Sequence, residues 1–128
     1  MSKINFNPLS GKMMMKILIV EDNQPMRRII RRMVNDVADE VIECGDGAQA
    51  YLLYAAQLPD WVLMDIEMAE VDGITATRRI RADYPDAHIL IVTNYDDAGL
   101  REAANQAGAS GFILKDNLFA LRTFLQGQ

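Results

Sequence analysis

Apolar residues along this chain fall into five short runs separated by longer amphipathic stretches. The runs occupy residues 15–20 (MKILIV), Glu40–Cys44, residues 61–65 (WVLMD), residues 89–92 (ILIV) and residues 112–114 (FIL). Near-continuous apolar runs suit parallel strands buried on both faces, because a half-exposed strand alternates. Between the runs the period changes to that of a helix. Met26, Ile29, Ile30, Met33, Val34 and Val37 recur at helical spacing. Asn23 stands before them as a capping residue, and Pro25 sits in the first turn, where a missing N–H costs nothing. Residues 48–58 read as a second helix stopped by Pro59, and 74–82 as a third after a loop through Asp72-Gly73. Residues 97–107 read as a fourth helix, closed by Gly108 in a left-handed cap, and 118–125 as a last amphipathic one.

Strand and helix thus alternate five times. Parallel strands need right-handed helical crossovers, so the pattern predicts an α/β fold with helices on both faces of a five-stranded parallel sheet. We expect it to be doubly wound, in the flavodoxin-like order 2-1-3-4-5. One domain over residues 16–126 accounts for the periodic part. Residues 1–15 have no clear period and read as a flexible leader, a late translation start or a cloning remnant. The Met13-Met14-Met15 run fits start-site ambiguity or a strand edge, not a cofactor box.

Composition narrows the function classes. Of 128 residues, half are hydrophobic and 24% charged, which is globular and leaves room for one real core. The net charge of -5 and pI near 4.7 argue against direct nucleic-acid binding through a basic surface. A single cysteine, Cys44, and a single histidine, His88, leave no internal disulfide and no His- or Cys-rich metal site, and both read as structural. No run approaches the length of a membrane span and no signal peptide is visible, so no membrane contact is expected and the cytoplasm is the expected compartment.

The chemistry gathers at the strand ends. Four of the five strands run out on polar residues: Glu21-Asp22, Asp65, Thr93 and Lys115. In an open α/β sheet the carboxyl ends of the strands meet along one edge, where ligands bind. Taken alone, Asp65 fits a helix cap or loop entry as well as a functional group. As a set the residues say more. Three crowded carboxylates repel one another, which raises pKa or recruits a cation, and an all-oxygen set suits Mg²⁺. A hydroxyl and an ammonium opposite would neutralise the oxygens of a transferring phosphoryl group. Asp65, central among them, would be the nucleophile, forming an acyl phosphate.

These residues carry a resemblance to the response regulator receiver domains of two-component signalling, the CheY-like family. It covers residues 16–126 through Ile19-Val20-Glu21-Asp22-Asn23, Met64-Asp65-Ile66-Glu67-Met68 with Asp72-Gly73, Ile91-Val92-Thr93 and Phe112-Ile113-Leu114-Lys115. The resemblance implies that a sensor histidine kinase or phosphotransfer protein phosphorylates Asp65. It implies Mg²⁺ bound by Asp22, Asp65 and the Glu67 backbone carbonyl, with Glu21 acting through water. Thr93 and Lys115 would contact the phosphoryl oxygens. Thr93 would shift toward the phosphate and Phe112 turn inward behind it, a two-state element biased by one new charged group. A downstream output protein or a further output domain is implied as partner, and a phosphorylation-dependent homodimer is a further expectation.

Three positions depart from the family pattern. Ala69 stands where a proline is usual, and Lys115-Asp116 replaces a cis Lys-Pro. A non-proline cis bond costs roughly 3 kcal/mol, so a trans bond is expected. Asn94 is larger than the small residue common after the Thr. Glu67 and Tyr95 flank the site, as tuners of dephosphorylation by family analogy or as solvated loop residues. Arg27, Arg28, Arg31 and Arg32 form either a docking face for an acidic kinase surface or a solvated face. Arg78, Arg79 and Arg81 read as solvated. The alternative function is a receiver-like interaction module that is not phosphorylated. A Mg²⁺-dependent aspartyl-phosphate phosphohydrolase would want a cap-sized insertion that is missing here. A flavin protein would want a Gly-rich phosphate loop after the first strand, where Glu21-Asp22 would repel phosphate. No enzyme is expected.

Overall fold

A computed structural model describes residues 6–7 and 12–126, with side chains from residue 14 onward. Five strands, β1 (Lys16–Val20), β2 (Glu40–Cys44), β3 (Trp61–Met64), β4 (Ile89–Thr93) and β5 (Gly111–Leu114), form one sheet. All pairings are parallel, and the order is β2-β1-β3-β4-β5, the doubly wound arrangement expected from the alternation. The connecting helices are α1 (Gln24–Val34), α2 (Gly47–Gln57), α3 (Gly73–Asp83), α4 (Ala98–Ala107) and α5 (Ala120–Leu125).

The strand period of two sorts the core into two layers. Leu18, Val20, Val62, Met64, Ile89 and Ile91 face one way, against Ala50, Tyr54, Ile74, Ile80 and Ala104 of α2, α3 and α4. Ile17, Ile19, Leu63, Leu90, Val92 and Ile113 face the other way, against Ile30, Val34, Leu121 and Leu125 of α1 and α5. β1, β3 and β4 have helices on both sides, which explains why their sequences do not alternate.

Caps fix where the helices start. Asn23, Asp46, Asp72 and Asp97 each accept a hydrogen bond from a backbone N–H of the first turn, so four crossovers re-enter the helix at a set residue. Gly108 closes α4 at φ 99° and Leu58 closes α2 at φ 46°, both left-handed.

Two local expectations need correction. Ile29 is 44% exposed rather than part of the buried stripe of α1, and Val37 lies beyond the end of that helix. The last helix does not begin at residue 118. A 3₁₀ turn over Lys115–Asn117 comes first and α5 starts at Ala120 without a side-chain cap, leaving Phe119 82% exposed. In the segment read as a leader, Phe6–Asn7 pairs antiparallel with Lys12–Met13, while residues 1–5 and 8–11 lie outside the described residues.

Candidate functional site

The parallel registers bring the strand ends together. Val20 lies beside Met64 and Thr93 beside Leu114, so Glu21, Asp65, Thr93 and Lys115 emerge at the same edge. The ladder continues one residue further. Asp65 N–H donates to the Val20 carbonyl at 2.9 Å, and Glu21 N–H to the Cys44 carbonyl at 3.0 Å. These bonds set the backbone beneath both carboxylates before any side chain is considered.

Glu21 and Asp65 are buried, at 1% and 6% exposure, while Asp22 is exposed. One carboxylate oxygen from each of the three lies within 4.8 Å of the others. Lys115 Nζ stands 2.7 Å from Glu21 Oε1 and 3.3 Å from Asp65 Oδ1, so one ammonium faces two buried acids. Asp65 Oδ1 also accepts from Ile66 N–H at 2.9 Å, and Glu21 Oε2 from Asn23 N–H at 3.2 Å. Glu21 Oε1 receives no aligned hydrogen bond, and the ion pair is what compensates it.

The charge balance is incomplete. Burial, and then repulsion from Glu21, push the Asp65 carboxyl up to about 7, against the smaller opposing pull of Lys115. Burial would lower the Lys115 ammonium, but Glu21 and Asp65 outweigh it and raise its pKa, so it stays charged at neutral pH. A site of hard oxygen donors, one of them lacking a hydrogen bond and one reluctant to ionise, fits a small divalent cation such as Mg²⁺.

The sign of the Asp65 shift has a measurable consequence. Its folded pKa lies above the ordinary 3.8, so the folded state holds the proton more tightly than the unfolded one. The stability this confers is fully present below about pH 4 and is lost as pH rises through about 7. Asp65→Asn removes the ionisation. We expect the variant to match wild type near pH 4 and to exceed it by about 2–4 kcal/mol at pH 8, without divalent cations. Urea unfolding at the two pH values checks this; a pH-independent difference would contradict it.

A sequence model of the response regulator receiver domain matches residues 17–125. The chain belongs to that family. Receivers of this kind act in two-component signalling. The chain is 37% identical over 103 residues to the chemotaxis protein CheY of Listeria monocytogenes, covering 80% of this chain and 87% of CheY. It is 36% identical over 103 residues to the transcriptional regulatory protein DegU of Brevibacillus brevis, covering 79% of this chain but 44% of DegU. The chain spans about half the length of such longer regulators. Among solved structures, a LuxR-family response regulator from Aurantimonas sp. superposes with TM-score 0.79 at 32% identity, over 90% of this chain and 87% of that one. The receiver domain of a putative response regulator NarL from Mycobacterium tuberculosis superposes at 0.81 and 27% identity, over 90% and 98% of the two chains.

The other residues singled out in this receiver divide into those the fold gathers and those it employs elsewhere. Thr93 is 1% exposed at the end of β4, and its Oγ1 accepts from Tyr95 N–H at 3.3 Å. Phe112 is half-buried on β5 against the layer shared with α4. Tyr95 donates its hydroxyl to Glu67 Oε2 at 3.1 Å, joining the loops after β3 and β4. The Lys115–Asp116 bond is trans, as is every peptide bond among the described residues.

The α1 arginines are not one face. Glu43 binds both Arg27 (2.9 Å) and Arg31, and Arg27 also donates to the Glu21 carbonyl at 2.8 Å; Arg28 and Arg32 remain exposed. Arg81 is half-buried rather than solvated, bonding the Pro85 and Ala87 carbonyls beneath Gly108. Cys44 is buried with its thiol pushed up to about 11 by that burial, an inert group. His88 is exposed and stacks on Trp61 with ring centroids 5.2 Å apart. Sequence reasoning missed Gly73, treated only as part of a turn, although a bare Cα there lets α3 start against the Asp65 backbone. No helix among the described residues is long and apolar enough to cross a membrane.

Proposed function

We propose that this receiver is a phosphoacceptor switch, phosphorylated on Asp65 by a sensor histidine kinase or phosphotransfer protein. The observation that carries the reading is the Lys115 ammonium held between the buried Glu21 and Asp65 carboxylates beside a three-acid cluster. An Asp65 carboxylate oxygen attacks the phosphorus of a phosphohistidine. The P–N bond breaks, the imidazole nitrogen keeps the electron pair and takes up a proton, and an aspartyl phosphate remains. Asp22, Asp65 and the Glu67 carbonyl would hold Mg²⁺, with Glu21 acting through water. When bound, the ion would offset the repulsion between anionic donor and anionic acceptor.

Lys115 supplies a permanent positive charge against the Glu21 and Asp65 carboxylates. Once Asp65 carries the phosphoryl group, the ammonium follows the new oxygens. The Thr93 hydroxyl donates to one of them, giving up its contact with Tyr95 N–H. Phe112 then turns in behind Thr93, and the altered face around α4 and β5 is read by an output protein or an attached output domain. The charged rim of Arg28 and Arg32 on α1 suits an acidic phosphodonor surface. The expected setting is the cytoplasm.

Intact mass after incubation with acetyl phosphate tests the reading. We expect one phosphoryl adduct that requires both Mg²⁺ and Asp65 and is absent in Asp65→Asn. No adduct together with no Mg²⁺ binding would favour the unphosphorylated interaction module instead.

A further inference from the structure

The Arg101 guanidinium carbon lies 4.4 Å from the centroid of the Phe112 ring. Its Nη2 also lies 3.3 Å from Asp96 Oδ1. Asp96 belongs to the loop that follows Thr93, in which Tyr95 N–H bonds the Thr93 hydroxyl. Phe112 pairs with Ile91, two residues before Thr93, so by strand alternation Phe112 and Thr93 share a sheet face. One side chain of α4 therefore links the ring on β5 to the loop carrying the Thr93 contact.

We infer that Arg101 is a positioning residue that holds the Phe112 ring in its unphosphorylated place, so that switching must first lift the ring from the guanidinium. The inference rests on the reading of Phe112 as a switch residue given above. The ion pair to Asp96 is exposed on both sides and by itself contributes little. The ring contact is the selective part, because it exists only while Phe112 stays beneath Arg101. The α4 residues packed against the core on this side are Leu100, Ala103, Ala104 and Ala107, mostly small, and it is the long Arg101 side chain that lies over the ring. The guanidinium acts as a latch whose loss favours the inward ring before any phosphoryl group arrives.

The test uses the full chain labelled with fluorophenylalanine, whose four sites are Phe6, Phe112, Phe119 and Phe124. Phe112→Leu assigns the resonance of interest. Without phosphodonor, Arg101→Ala should move the Phe112 resonance and reduce its solvent isotope shift, as the ring turns in. Arg101→Lys, which keeps a cation over the ring, should restore much of the wild-type signal. Labelling by acetyl phosphate with Mg²⁺ should quicken about two- to five-fold in Arg101→Ala, the factor set by one partly exposed cation–π contact. An unchanged Phe112 resonance overturns the inference, and so does a ring that moves while phosphoryl uptake keeps its wild-type rate. If wild type takes up no phosphoryl group, the functional reading fails separately. The resonance comparison without donor then still decides whether Arg101 holds the ring.

Discussion

Lys115→Met is expected to cost about 3 kcal/mol of stability at pH 8, most of it recoverable by acidification. The methionine keeps the length of the apolar stem and removes only the charge. Glu21 then sits at 1% exposure with no cation, beside an Asp65 already reluctant to ionise. Removing one partner of a buried pair leaves an uncompensated charge, which costs far more than the pair itself contributes. The sign with pH follows. Without the ammonium, which pulls it down, the folded-state pKa of Asp65 rises further above its ordinary value. The variant's deficit is therefore largest above neutrality and shrinks as pH falls toward 5. Urea unfolding at pH 5 and pH 8 reads this directly, and an equal loss at both would show that Lys115 acts through packing alone.

The same variant separates two roles at the site. A metal competes with the ammonium for the carboxylates, so Mg²⁺ should bind Lys115→Met more tightly than wild type. Phosphoryl uptake from acetyl phosphate should nonetheless fall by at least about tenfold, because the charge that faces the phosphoryl oxygens is gone. Tighter metal binding with slower chemistry is a combination that simple misfolding does not produce.

These residues were legible in the sequence for a topological reason. Apolar runs such as 89–92 announce strands buried on both sides, and a doubly wound sheet sends every strand end to one edge. Glu21, Asp65, Thr93 and Lys115 are thus neighbours in space by connectivity alone, before any packing detail is known. What could not be read depends on how helices lie on that sheet. Periodicity placed Ile29 on the apolar stripe of α1, but the stripe is wider than the surface it covers, and Ile29 is left at 44% exposure. Arg81 has the same local pattern as Arg78, yet its helix position points it at the Pro85 and Ala87 carbonyls. Asn117 offers a cap for an α-helical start at residue 118, but the chain places it in a 3₁₀ turn over Lys115–Asn117 and starts α5 at Ala120 with no side-chain cap bond. Arg101 over Phe112 joins residues from different elements, and no spacing rule contains it.

Gly73→Ala carries the other large expected effect, and two physical arguments give it opposite signs. Gly73 is the first residue of α3, where alanine is favoured over glycine by up to about 1 kcal/mol. Against this, a Cβ at Gly73 would overlap the Asp65 carbonyl oxygen and stand 2.8 Å from its carbonyl carbon. Those atoms are backbone, tied by the Asp65 N–H to the Val20 carbonyl and by Gly73 N–H to the Ile66 carbonyl, so no rotamer relieves the overlap. Overpacking in a core that can yield costs about 1–3 kcal/mol, and this site has little freedom to yield. The clash wins, and we expect a loss of about 3 kcal/mol. Relief must come from moving the Asp65 backbone, so the carboxylate leaves its place opposite Lys115. A displacement near 1 Å is enough to slow phosphoryl uptake by about a hundredfold. Gly99→Ala, also in the first turn of a helix but exposed, with its nearest neighbour the Asp97 side chain at 3.1 Å, serves as the control and should stay within about 1 kcal/mol of wild type with normal uptake. Thermal unfolding and adduct formation on both variants decide it. If Gly73→Ala keeps wild-type stability and labelling, the close approach of α3 to the Asp65 backbone is not what positions the acceptor.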